Sequence, residues 1–221
     1  MSNIFKFNRK TDRLPLTFVL LIANVVVYLL VENPGSGNAL IRWMALWPIG
    51  TPDTLETLRG LAQVPHFYPW QLVTYGFLHG SLTHLFFNML ALYMFGLQLE
   101  RFWGSQRFAL YYFVCLAGAG LVQLLIASSS NEIYPTLGAS GAVFGLLLAY
   151  GVTWPNNRIM LLFPPIPMKA KWFVTLFGAI ELFMGITDRM PGIAHFAHIG
   201  GMLFGAAVLY SWGWRPFRKR R

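Results

Sequence analysis

Between Leu14 and Trp212 the chain breaks into six apolar stretches, Leu14–Val31, Leu82–Leu99, Phe108–Ala127, Ser140–Trp154, Trp172–Thr187 and Ile193–Trp212, parted by charged or Gly- and Pro-rich links. Hydrocarbon offers no partners for backbone N–H and C=O groups, so stretches of this kind cross it as helices. With 56% of its 221 residues hydrophobic and only 11% charged, the composition excludes an ordinary soluble domain. The expected fold class is an all-α membrane protein, a bundle of six transmembrane helices.

Charge sets the orientation. Lys6, Arg9, Lys10, Arg13, Arg101, Arg107, Arg158, Lys169, Lys171, Arg215, Arg218, Lys219, Arg220 and Arg221 fall on one side of such a bundle, and only Arg42, Arg59 and Arg189 on the other. Lys and Arg resist translocation, so both termini are expected in the cytoplasm. The net charge of +9 follows from this topology and from attraction to anionic headgroups, which makes the bilayer a partner and nucleic acid not one. Residues 1–13 and 213–221 read as basic cytoplasmic ends around a domain spanning 14–212. The first span follows a basic segment as a signal peptide would, but no small-x-small cleavage site follows, so it reads as a retained anchor. The single cysteine, Cys115, lies mid-span as a small core residue and excludes an intramolecular disulfide.

Two links differ from the rest. Glu32 to Ser81 is long and carries Trp43, Trp47, Phe67, Tyr68 and Trp70, residues suited to the headgroup region. This external loop is expected to lie partly in the outer leaflet. The fourth span is short: Ser140–Trp154 as a helix covers about 22 Å against roughly 30 Å of hydrocarbon. The preceding Tyr134–Gly138 must therefore dip inward as extended chain, which is tolerated where protein or a wet cavity surrounds it.

That arrangement puts Ser140 at the positive end of a helix, below the outer surface, flanked by Gly138 and Gly141. Small neighbours let a substrate carbonyl approach, and the unpaired first-turn N–H of Ser140 can point at a developing oxyanion. A serine nucleophile needs a base that is neutral before reaction and cationic during it, and His198 on the sixth span is the choice. Ala194, His198, Gly201 and Gly205 form one helical stripe of small residues interrupted by a single imidazole. Gly141 and Gly145 form a matching stripe on the fourth span, so the two helices are expected to pack closely with Ser140 facing His198. His195 lies off that stripe. Neither Glu181 nor Asp188, on the fifth span or at its outer end, is placed to orient the histidine, so a Ser140/His198 dyad is expected. Phe144, one turn past Ser140, either stacks on the imidazole or is simply core.

His84 and Asn88 are four apart on the second span. Near a nucleophile both can donate to a tetrahedral oxyanion; alternatively they join helices as polar contacts. His79 supports the loop or a water cluster. A metal held by His195, His198 and His84 is disfavoured because no carboxylate neighbours them in sequence.

The combination resembles the rhomboid family of intramembrane serine proteases over nearly the whole chain. The residues that carry it are His79 with His84-x-x-x-Asn88, then Gly96, Glu100, Gly104 and Arg107-Phe108, then Gly138-Ala139-Ser140-Gly141, and Ala197-His198-x-x-Gly201-x-x-x-Gly205. The resemblance implies a serine endopeptidase that cuts transmembrane segments of membrane-protein substrates. Ser140 would attack, His198 would relay the proton, and His84, Asn88 and the Ser140 N–H would form the oxyanion hole, with Gly138, Gly141, Phe144, Gly201 and Gly205 in support. It implies no cofactor and no metal, a water-filled cavity open to the external or periplasmic side, and location in a bacterial inner membrane, as in the small six-span prokaryotic form. The chain departs from many relatives in having Gln71 after Trp70 and Phe144 in place of a tyrosine. An inactive rhomboid-like protein that binds client helices is the alternative, although both members of the dyad are present. A transporter is disfavoured by the lack of internal repeats and of paired intramembrane charges. The fifth span, with Trp172, Phe173, Phe177 and Phe183, reads equally as a mobile gate or a fixed lipid-facing helix.

Overall fold

The computed structural model describes residues 14–33, 35–57, 60–127, 134–160, 165–187 and 194–214. The basic termini and Arg59, Asp188, Arg189 and Ile193 lie outside them.

Each of the six apolar stretches contains a helix. The first is α1 (Leu16–Val31). The link between Glu32 and Ser81 then contains α2 (Gly37–Met44), an antiparallel hairpin of β1 (Thr54–Thr57) and β2 (Gly60–Gln63), and the single turn α3 (Gln71–Thr74). The second span is α4 (Leu82–Ala91), running through a π-helical turn at Leu92–Gly96 into α5 (Leu97–Trp103). Next come α6 (Ser105–Ala127) and α7 (Ser140–Thr153), a short hairpin of β3 (Arg158–Met160) and β4 (Pro167–Lys169), then α8 (Ala170–Thr187) and α9 (His195–Ser211). Among the described residues three helices are long and apolar enough to cross a membrane, Leu82–Trp103, Ser105–Ala127 and Ala170–Thr187, while α1 and α7 are shorter apolar helices.

Helix ends are closed by specific residues. Pro15 precedes α1 and has no side chain that can cap it, so Glu100 of α5 does so from a distance. Its Oε1 accepts from the Leu16 N–H at 2.6 Å, and its Oε2 from the Thr17 N–H and hydroxyl at 2.8 and 2.6 Å. A carboxylate at a helix N-terminus satisfies orphan donors and complements the helix dipole. The Ser105 hydroxyl donates to the same group at 2.6 Å, so one acid ties α1 to the α5–α6 corner. That corner turns at Gly104, whose φ of +83° favours glycine.

The core lies where α6, α7 and α9 meet. Phe108, Tyr111, Tyr112, Cys115, Leu116 and Leu146 are fully buried there. Close approach comes from missing side chains: a Cβ on Gly201 would collide with the Gly141 carbonyl oxygen, and one on Gly141 with Ala119. The expected packing of the two glycine stripes is seen at Gly141 and Gly201, but Gly205 departs from it. Gly205 faces Tyr111 and Cys115 of α6, and Cys115 also sits against Gly145. The stripe on α9 therefore serves two neighbours, because a helix in the centre of a bundle presents small residues to both sides. Two buried tyrosines tie other elements to this core, Tyr111 donating to the Gly145 carbonyl and Tyr75 to that of Leu116, each at 2.8 Å.

Candidate active site

The segment leading into α7 is extended and buried by protein. Leu46 and Thr136 exchange backbone hydrogen bonds at 3.0 and 2.9 Å, and the Gly138 N–H donates to the Tyr75 carbonyl at 3.0 Å. This non-helical backbone is thus paired with the segment between α2 and α4, which satisfies its hydrogen-bonding groups. Gly138 has a φ of +121°, and a Cβ there would lie 2.7 Å from the His84 ring, so glycine is needed for both conformation and space.

Ser140 is the first residue of α7, and its N–H is among the first-turn amides that have no intrahelical carbonyl. Its hydroxyl lies 2.7 Å from His198 Nε2. Phe144 lies flat on the His198 ring, with centroids 4.4 Å apart and planes at 9°. The imidazole is held between an aromatic face and the serine, within hydrogen-bond reach of the group whose proton it would take.

His84 abuts Gly138 beside the serine. Asn88, one turn further, is buried, and its amide donates to the His84 carbonyl at 3.1 Å. His79 meets the His84 ring edge-on at 4.9 Å, and both of its own ring nitrogens are buried with no partner among the described residues. Burial, then the neighbouring His84 charge, lowers the His79 pKa to about 4, so this ring is neutral at physiological pH.

One expectation is overturned. A carboxylate does reach the base: Glu181 Oε2 on α8 lies 2.8 Å from His198 Nδ1 and 2.6 Å from His195 Nδ1. The sequence places Glu181 on the fifth span, a different helix from His198, and for that reason it was set aside. The available signal was that Glu181 is the sole acid in the apolar helix Ala170–Thr187, and an ionisable group within a span calls for a partner.

The same three residues group their ligand-type atoms within 4.8 Å of one another, and His84 is not among them. The 2.6 and 2.8 Å separations are those of hydrogen bonds, whereas ligands around one tetrahedral zinc sit about 3.3 Å apart. The trio would have to spread to hold such an ion.

Gln71 forms an internal clasp within the segment between α1 and α4. It is fully buried, its Oε1 accepting from the Trp47 and Tyr68 N–H groups at 3.3 and 3.2 Å and its Nε2 donating to the His66 carbonyl at 3.3 Å. Above it Trp43, Tyr68 and Trp70 stack together. A cavity of about 420 Å³ beside this stack is lined by Arg42, Trp43, Asp53, His66 and Tyr68 among others, and none of Ser140, His198, His84 or Asn88 borders it.

The family model for the rhomboid domain matches residues 66–215. The chain is 36% identical over 197 residues to rhomboid protease GluP of Bacillus subtilis, covering 87% of this chain and 34% of that protein. It is 30% identical over 205 residues to the mitochondrial rhomboid protein 1 of Saccharomyces cerevisiae, covering 92% and 54%. It is 28% identical over 192 residues to rhomboid protease GlpG of Photorhabdus laumondii, covering 86% and 59%. The chain thus spans a third to three fifths of the length of these relatives. The domain match, the likeness along most of the chain and the helices long enough to cross a bilayer together mean that this membrane protein belongs to the rhomboid family.

Proposed function

We propose that the chain is an intramembrane serine endopeptidase that hydrolyses peptide bonds in or near the transmembrane segments of membrane-protein substrates. The observation that carries this reading is the 2.7 Å approach of Ser140 Oγ to His198 Nε2 at the start of α7, beneath the stacked Phe144. Ser140 Oγ attacks the scissile carbonyl as His198 Nε2 takes its proton. The imidazolium then protonates the leaving amine, and a water that His198 deprotonates hydrolyses the acyl-enzyme. The Ser140 N–H, His84 and Asn88 are the donors assigned to the oxyanion, supported by the position of His84 over Gly138. Gly138, Gly141, Gly201 and Gly205 support the site by bringing backbones together.

The same reading has six spans, α1, α4–α5, α6, α7, α8 and α9, in a bacterial inner membrane, with both termini cytoplasmic and the site open to the periplasmic side. The asymmetry of Lys and Arg supports this orientation. The name of the GluP and GlpG relatives, rhomboid protease, supports the activity.

The test is cleavage of a model single-span protein by the purified chain in liposomes, with products sized by mass spectrometry. Ser140→Ala and His198→Ala are each expected to abolish cutting. Absence of cutting by the intact chain across several substrates, with no labelling of Ser140 by a serine-reactive phosphonate, would replace this reading with client-helix binding.

A further inference from the structure

Glu181 Oε2 lies within hydrogen-bond distance of the Nδ1 atoms of both His195 and His198. Its side chain is 13% exposed, and the ion pairs it forms are with the two histidines of α9. An ionised carboxylate accepts and never donates, so both rings must offer Nδ1–H to it. A protonated Oε2 would donate to one ring and accept from the other, so the arrangement in which both rings donate belongs to the ionised carboxylate. With its proton on Nδ1, His198 has a lone pair on Nε2, the atom that faces the Ser140 hydroxyl. The carboxylate thereby selects the tautomer able to accept the serine proton, and it stands 2.8 Å from the ring on which positive charge develops.

His195 has a different place in the arrangement. Its ring stands at 87° to that of His198, its Nδ1 bonds the same oxygen, and its Nε2 is buried without a partner among the described residues. Its hydrogen bond among them is therefore to Glu181, on the same oxygen that meets His198.

Resting on the proposed protease function, we infer that Glu181 is a positioning residue acting through His198, with His195 as its brace, so that Ser140, His198, Glu181 and His195 form one hydrogen-bonded chain. The base is then coupled to α8, a helix with few buried residues of its own.

The experiment compares the intact chain, Glu181→Gln and His195→Ala in liposomes with a model single-span substrate, following kcat and KM separately, phosphonate labelling of Ser140, thermal unfolding and the far-downfield proton resonance of the His198 Nδ1–H. Glutamine keeps the shape and an acceptor oxygen but not the charge. Glu181→Gln is expected to lower kcat about 10- to 100-fold with KM within about twofold, to slow labelling in proportion and to remove the downfield resonance. His195→Ala is expected to cost less, and the double variant no more than Glu181→Gln alone, because the two act in series. An unchanged kcat in Glu181→Gln, or a loss explained by raised KM and a lower unfolding temperature, would make Glu181 a structural latch and overturn the inference. If the intact chain neither cuts nor labels, the protease reading fails instead. The resonance then decides the positioning alone, its presence in the intact chain and loss in Glu181→Gln supporting it, and its absence from the intact chain overturning it.

Discussion

Helices α6 and α8 are both long and apolar, yet they are held in opposite ways. Half of α6 is buried inside the protein, with Phe108, Tyr111, Tyr112, Cys115 and Leu116 enclosed on all sides, whereas only 11% of α8 is buried, through Ala170 and Val174. Trp172, Leu176, Ile180, Leu182, Phe183 and Ile186 of α8 face outward. In lipid an outward leucine is already in an apolar solvent, so burial drives little helix association there. Close packing and polar contacts do the work instead. For α6 these are the glycine seam and the Tyr111 hydroxyl; for α8 they are Phe173 against Phe95 with ring centroids 6.5 Å apart, Gly185 against His195 and Phe196, and Glu181 on the two histidines. A peripheral helix can thus carry a group that reaches a buried histidine at the centre of the bundle.

The same substitution placed in the two regions is the sharpest way to break this comparison. Gly201→Ala in the central seam adds a Cβ where the Gly141 carbonyl already sits, and backbone cannot step aside in a packed core. The expected cost is about 3 kcal/mol or more, seen as loss of monodisperse protein or a large drop in unfolding temperature. A stability close to that of the intact chain would mean that α9 slides freely and that the seam is not tight.

Gly185→Ala on α8 adds a Cβ about 3.2 Å from the Cβ of His195 and 3.3 Å from the Phe196 ring. A helix with little buried surface can retreat by a few tenths of an ångström, and alanine is the better helix former by up to about 1 kcal/mol. Stability is expected to stay within about 1 kcal/mol by thermal unfolding, while cleavage falls a few-fold because Glu181 moves with the helix. The smallest effect belongs to Leu182→Ala, one residue past Glu181 and 47% exposed. It is expected to shift stability by no more than about 0.5 kcal/mol and to leave cleavage unchanged. A larger loss would show that α8 is held by its outward face, against the comparison drawn here.

Much of the site could be read along the chain. A helix beginning at Ser140 followed from the shortness of the apolar run and the glycines on either side, and the extended Tyr134–Gly138 followed from the length still to be covered. Both are local consequences of helix rise and backbone hydrogen bonding. The stripe through His198 and Gly201 was visible because helical periodicity projects it onto one face. The β1–β2 hairpin was not expected: Thr54–Thr57 and Gly60–Gln63 are short and polar, and β2 is exposed throughout, so no alternation of apolar residues marks the pair. The clasp by Gln71 was also hidden, since its partners Trp47, His66 and Tyr68 meet only when the loop folds back on itself.

Hydropathy, charge asymmetry and small-residue spacing by themselves determined a helical membrane protein with Ser140 at a helix start and His198 on a close-packing face, because each is a property of one segment. The partner of that histidine was decided only in the tertiary structure. Successive residues of a helix point about 100° apart, so a rotation of α8 by one position would turn Glu181 away from α9. Glu181 marks the one face of α8 that needs a partner, but the apolar residues around it do not say which neighbour supplies it. Docking of Gly185 against His195 and Phe196 sets that rotation, and with it the contact between an acid on the periphery and His198 at the centre.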